Sequence, residues 1–224
     1  MESAARALVP AAALVGAWWT ALLVFHRRSP RPAAGLRFAV ALVLGALAAH
    51  LGWALLHPGH VASHPSLVLD PGRGHCVLFV PLGVLASSLV GLDRAGRDAY
   101  LAAAFASLPA ALAVARLGCL AAGCCHGVAT ASGWAPWSVH PTPVYEMLGL
   151  VLLHAACTRV EARWVPSVFL GGFGALRLAL EPLRAVPPLG PPALPAWILA
   201  AGWIAVALAL RPRRARSLAP LRSL

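Results

Sequence analysis

Apolar residues fall in seven long runs separated by short polar breaks, at roughly 7–25, 38–56, 76–92, 98–115, 143–158, 165–180 and 194–210. Each approaches the ~20 residues that a helix needs to cross ~30 Å of hydrocarbon. The third and fifth are short for that task. The pattern predicts an all-α, polytopic integral membrane protein with about seven transmembrane helices, since a helix satisfies its own backbone in lipid. The first run follows Arg6, as a secretory signal would follow its basic start. An Arg-rich stretch comes after it rather than a small-residue cleavage site, so it reads as a retained anchor. No internal repeat or low-complexity domain appears. Residues 1–224 read as a single membrane domain, with residues 211–224 an Arg-rich tail. The stretch "VPPLGPPALP", Val186 to Pro195, is a Pro-rich loop that cannot be helical throughout.

Composition agrees with the pattern. Hydrophobic residues make up 60% of the chain and charged residues only 11%, against about a quarter in soluble proteins. The net charge is +11, and all 18 basic residues are arginine. In a soluble protein that balance would suggest nucleic acid. Here the arginines sit in short loops, where they set topology instead, and no nucleic-acid partner is expected. The tail "RPRRARSLAPLRSL" holds five arginines and is expected in the cytoplasm. Seven spans then put the amino end on the opposite, outer side, which in a bacterium is the periplasm. The cytoplasmic loops receive Arg27, Arg28, Arg31, Arg37, Arg94, Arg97, Arg159 and Arg163. Arg6, Arg73, Arg116, Arg177 and Arg184 fall on the outer side, beside the polar residues of interest. A charge near hydrocarbon is costly and usually has a task, so the outer face is where function is expected.

Three stretches on that face carry the candidate chemistry. In "RLGCLAAGCCHG", Arg116 to Gly127, glycines let the backbone bend or approach a helix or ligand closely; for the glycines alone, a capped helix C-terminus is the simpler reading. Cys119, Cys124, Cys125 and His126 offer metal ligands, but their spacing matches no common zinc pattern. A disulfide and buried inert thiols are the other readings. "LAAGC", Leu120 to Cys124, also spells a lipobox, here far from the amino-terminal place such a signal requires. In "VHPTPVYE", Val139 to Glu146, His140 precedes a proline and so takes extended or turn backbone. Tyr145 and Glu146 fall at the top of the fifth span, and the carboxylate there needs a partner, most plausibly an arginine. In "GGFGALRLALEPLR", Gly171 to Arg184, Arg177, Glu181 and Arg184 are spaced i, i+4, i+7 on one helix face, provided that Pro182 does not end the helix first. Two guanidinium groups and one carboxylate leave a surplus positive charge suited to phosphate; a structural ion pair is the alternative. Together the stretches predict an outward-facing pocket lined by Arg116, His140, Glu146, Arg177, Glu181 and Arg184, for a ligand with a phosphate and apolar tails.

In these motifs the chain resembles the prolipoprotein diacylglyceryl transferase family, most closely its cysteine-bearing members. The resemblance rests on "RLGCLAAGCCHG", "HPTPVYE" and the Arg/Glu/Arg helix, over about residues 110–184. It implies transfer of the diacylglyceryl part of phosphatidylglycerol to the lipobox cysteine of preprolipoprotein signal peptides at the bilayer surface, with no metal or other cofactor. It implies catalytic roles for His140, Glu146, Arg177 and Glu181. Substrate binding would fall to Arg116, Gly123, Gly127, Tyr145 and Arg184. Where the family's usual arginine loop has two asparagines, this chain has Cys119 and Ala122; its usual glutamine is here Pro143. His75 is the candidate for an upstream ring residue. The same residues admit a second class, a periplasm-facing redox or metal-handling protein using the three cysteines and His126 with His57, His60 and His64, or a transferase relative without activity.

Overall fold

The computed structural model describes residues 2–69, 76–130, 138–185 and 196–210, with residues 2–10 as backbone only. His75, the stretch 186–195 and the tail 211–224 lie outside the described residues. The described chain is helical, and its only β-type pairings are two isolated bridges. The helices are α1 (Glu2–Arg28), α2 (Pro32–Leu56), a short α3 (Pro58–Ser63), α4 (Val80–Ser88), α5 (Arg94–Ala121), α6 (Thr142–Arg159), α7 (Val165–Leu180) and α8 (Ala196–Ala209). Each predicted apolar run has its helix. Proline stands in the first turn of α2, α4, α6 and α7, where its fixed φ suits helix entry and its missing N–H has no partner to lose. The Asp93 carboxylate caps α5 by accepting from the Gly96 N–H at 2.8 Å.

Among the described residues two helices, α2 and α5, are by length and composition long and apolar enough to cross a membrane. The third run differs from expectation: only nine residues of it form α4, preceded by one 3-10 turn at Val77–Phe79. At 1.5 Å per residue, such a helix covers about half of a ~30 Å hydrocarbon layer. The surface fits lipid. Along α2, Leu36, Val40, Leu44, Leu47, Leu51 and Leu55 form an exposed stripe, with Leu36 70% and Leu55 76% accessible. A soluble protein rarely presents so long an apolar face.

α5 is the central element. It packs against α1, α4, α6 and α7, and α7 packs in turn against α6 and α8. Its middle, Tyr100 to Ala111, is nearly all buried, and Phe105 stacks on Phe169 of α7 at 5.1 Å between ring centroids. Pro109 removes the N–H that the Phe105 carbonyl would receive. One residue on, the Ala106 carbonyl accepts from His154 Nδ1 of α6 at 2.9 Å, which fixes the proton on that nitrogen. Near its start, Tyr100 lies edge-on to Phe25 of α1, itself stacked on Phe38 of α2. The end of α1 therefore meets the start of α5, and the start of α6 meets the end of α5 through Arg116 and Glu146. α5 thus runs antiparallel to α1 and α6 and parallel to α7, whose last turn reaches the same Glu146.

Candidate functional site

Three segments meet where α5 ends, α6 begins and α7 ends. α5 closes on Gly123, whose φ of +63° is a left-handed conformation that glycine adopts without a Cβ penalty. The Gly123 N–H returns to the Leu120 carbonyl at 3.2 Å and the Cys124 N–H to the Cys119 carbonyl at 3.1 Å. Gly123 is thus a helix cap, and a Cβ on it would meet nothing. Gly127 answers a different need. It forms a bridge with Arg184, its N–H donates to the His140 carbonyl at 2.7 Å, and Val128 donates to the Leu183 carbonyl at 3.0 Å. A Cβ on Gly127 would collide with the Leu183 carbonyl, His140 and Thr142. The loop after α5 is clamped between the entry to α6 and the exit from α7. Thr142, fully buried, adds to the clamp by donating to the Cys125 carbonyl. Thr142 is not among the residues that the sequence suggests; a hydroxyl between two prolines at the helix start is the signal for it.

Within the clamp lies Glu146, with its side chain 2% accessible. Arg177 of α7 donates to its Oε1, Arg184 donates to the same oxygen at 3.0 Å, and Arg116 of α5 pairs with Oε2. Three arginines from three segments converge on one carboxylate. The sequence anticipates one arginine partner for Glu146, and the structure gives three. The expected i, i+4, i+7 face is not what joins them. α7 stops at Leu180, Glu181–Leu183 form a 3-10 turn at Pro182, and Arg184 is extended, with φ −84° and ψ 134°. Its place comes from the bridge to Gly127. Glu181 lies only loosely against Arg177, with 3.8 Å between Oε2 and Nη2.

Burial and charge distinguish this cluster from a plain ion pair. The side chains of Arg116 and Arg177 are 12% and 7% accessible, and Arg184 is 25% accessible. Three guanidinium groups face two carboxylates, which leaves one positive charge. The guanidiniums bring on the order of fifteen N–H donors, whereas two carboxylates offer about eight acceptor sites. In and beside the cluster, Arg177 Nε, Glu181 Oε2 and His140 Nδ1 are buried without a hydrogen-bond partner. Such groups are costly unless something fills them; Arg177 Nε can only donate, whereas His140 Nδ1 donates or accepts according to its tautomer. Tyr145 is half-buried, its ring 6.2 Å from that of His140.

An open, mostly apolar cleft of about 370 Å³ is lined by Cys119, Cys124, His126, Val139, Pro141 and Pro143 among others, and Cys119 is the residue of that lining that Arg116 touches. Cys119 and Cys124 line the cleft, and the Sγ atoms of Cys119, Cys124 and Cys125 all lie within 4.8 Å of one another. They are free thiols. Hydrogen bonding to Cys119 holds the thiols of Cys124 and Cys125 above the ordinary range. His126 Nδ1 is turned to the Gly123 carbonyl at 3.1 Å. His57, His60 and His64 do not join the sulfurs; His57 and His60 lie against Trp53 at the end of α2, and His64 lies against His60.

Comparison with known proteins gives the family of the chain. No curated protein matches the chain. The prolipoprotein diacylglyceryl transferase family matches over residues 5–211, nearly the whole of the 224-residue sequence, and the chain belongs to that family.

Proposed function

We propose that this member of the prolipoprotein diacylglyceryl transferase family moves the diacylglyceryl group of phosphatidylglycerol to the lipobox cysteine thiol of preprolipoproteins. The observation that carries the reading is the convergence of Arg116, Arg177 and Arg184 on buried Glu146 with one positive charge in surplus. In the reaction the substrate's sulfur forms a bond to the glycerol carbon, the bond from that carbon to the phosphate oxygen breaks, and glycerol phosphate leaves. The thiol proton must depart and the leaving phosphate must be stabilised. Arg177 and Arg116 serve the phosphate, Arg184 reaches it from the more accessible side, and Glu146 holds all three in register. His140, with its unpartnered Nδ1, takes the thiol proton. Glu181 positions Arg177, while Gly123 and Gly127 shape the loop and Tyr145 borders the substrate. The apolar cleft beside Arg116 receives acyl or lipobox side chains.

The reading places the chain in a bacterial inner membrane with about seven spans. The site faces the periplasm, as does the amino end, and the tail lies in the cytoplasm. A reporter active only in the periplasm, fused after Arg216, is expected to stay dark. The test of function is complementation of a conditional transferase-depletion strain, with lipidation of a lipoprotein read by mass. Restored growth with a diacylglyceryl mass shift is expected. Normal accumulation of the protein with no shift would overturn the assignment.

A further inference from the structure

The thiols of Cys119, Cys124 and Cys125 have no part in the transfer reaction, whose nucleophile comes from the substrate, yet the fold assembles them. The helix end at Gly123 closes a hydrogen bond from Cys124 N–H to the Cys119 carbonyl, and this kind of cap sets those two side chains against each other. Cys125 then turns back with φ +60°, a conformation costing a non-glycine residue on the order of 1–2 kcal/mol. The Thr142 hydroxyl holds its carbonyl there. A strained residue pinned by a buried partner, and bringing a third sulfur to two others, is a built arrangement rather than incidental packing.

We propose that Cys119, Cys124 and Cys125 form a binding site for a thiophilic d10 metal ion, zinc(II) or copper(I). Soft thiolates select such ions. With metal–sulfur bonds of about 2.3 Å, sulfurs around a shared ion stand roughly 3.8–4.0 Å apart, so sulfurs already within 4.8 Å need shift by less than about 1 Å. Binding replaces thiol protons, which pass to solvent, by the metal; no electron transfer is involved. Three thiolates would be a heavy negative charge at the bilayer edge. Zinc(II) offsets two of those units and copper(I) one, and Arg116, already ion-paired with Glu146, lowers the cost of the remainder from 3.5 Å, the distance of its Nη1 from Cys119 Sγ. Three protein ligands leave a position open toward the cleft that Cys119, Cys124 and His126 line. The site shares Arg116 with the carboxylate cluster but does not depend on the transferase reading.

The experiment uses the full-length protein, purified reduced in detergent. Metal content is counted, and zinc(II) and copper(I) are each titrated against a chromophoric chelator. Cobalt(II) replaces zinc as a spectroscopic probe. Near one equivalent of bound metal is expected, with sulfur-to-cobalt charge-transfer bands in the near ultraviolet. Tighter retention of one ion identifies it. Any single Cys→Ser substitution in the cluster should weaken affinity at least tenfold, whereas Cys76→Ser should leave it unchanged. Should the cluster variants fail to accumulate, the wild-type cobalt spectrum still decides: bands without sulfur character, or under about a tenth of an equivalent bound by reduced protein, overturn the proposal. Metal retained undiminished by a folded Cys119→Ser/Cys124→Ser/Cys125→Ser protein overturns it as well.

Discussion

At the first turns of α5, Arg37 and Arg97 reach the end of α4, donating to the Ser87, Val90 and Ser88 carbonyls, while Tyr100 shares a 2.7 Å hydrogen bond with Ser87. At the last turns of the same helix, Arg116 joins Arg177 and Arg184 around one buried carboxylate. Both ends gather arginines. At the first end each guanidinium meets carbonyls that a helix terminus leaves open, an arrangement complete in itself and favoured by the helix dipole. At the last end the cations outnumber the acids that hold them, and Arg177 Nε is buried without a hydrogen-bond partner. The first end is a fastening. The last end carries the surplus positive charge on which the proposed phosphate binding rests. Arginine count alone does not separate the two; what each guanidinium donates to does.

The sharpest way to break this contrast is to remove the cations one end at a time. Arg177→Ala and Arg116→Ala should each lower lipid transfer to a lipobox peptide by on the order of a hundredfold or more, the usual cost of losing a donor to a developing anion. The protein should still insert and accumulate. Arg177→Lys should recover little, because an ammonium cannot replace paired guanidinium donors. Transfer is read as a mass shift on the peptide in phosphatidylglycerol micelles.

Glu181→Gln sharpens the contrast within the site. Its carboxylate stands 3.8 Å from Arg177 and is 30% accessible, so its loss should reduce transfer by roughly tenfold or less. That is well below the Arg177 effect, because such partly exposed pairs contribute about 1 kcal/mol. A fall as deep as that of Arg177→Ala would mean that Glu181 acts on substrate directly.

At the opposite end, Arg37→Ala should cost stability and spare chemistry. Loss of charged hydrogen bonds to two carbonyls is worth on the order of 1–3 kcal/mol, visible as earlier thermal unfolding in detergent with transfer per folded molecule unchanged. Arg94→Ala, in an exposed first turn, should change neither.

Much of this contrast can be read in the sequence, and its limits are physical. The helix positions follow from apolar runs, and Glu146 at the head of an apolar span announces its need for a cation. That Arg184 reaches the same carboxylate is not visible in helical spacing, because Pro182 ends α7 and a backbone bridge to Gly127, 57 residues away, does the placing. The gathering of Cys119, Cys124 and Cys125 is hidden likewise, since their spacing fits no ligand pattern until Gly123 and Cys125 take left-handed backbone. The shortness of α4 is hidden because residues such as Val90 and Leu92 continue the apolar run past the helix end at Ser88. Arg37 and Arg97 read as topology signals, with nothing local to show that they close the end of α4.

The central claim is that the arginines around Glu146 hold a lipid phosphate and those at the other end do not. It is tested most directly by counting phosphatidylglycerol retained on wild type, Arg177→Ala and Arg37→Ala by native mass spectrometry, against phosphatidylcholine as a zwitterionic control. Wild type and Arg37→Ala should keep phosphatidylglycerol in preference to the control, and Arg177→Ala should lose that preference. Equal retention by all three proteins would contradict the account and reduce the arginine cluster to a structural ion pair.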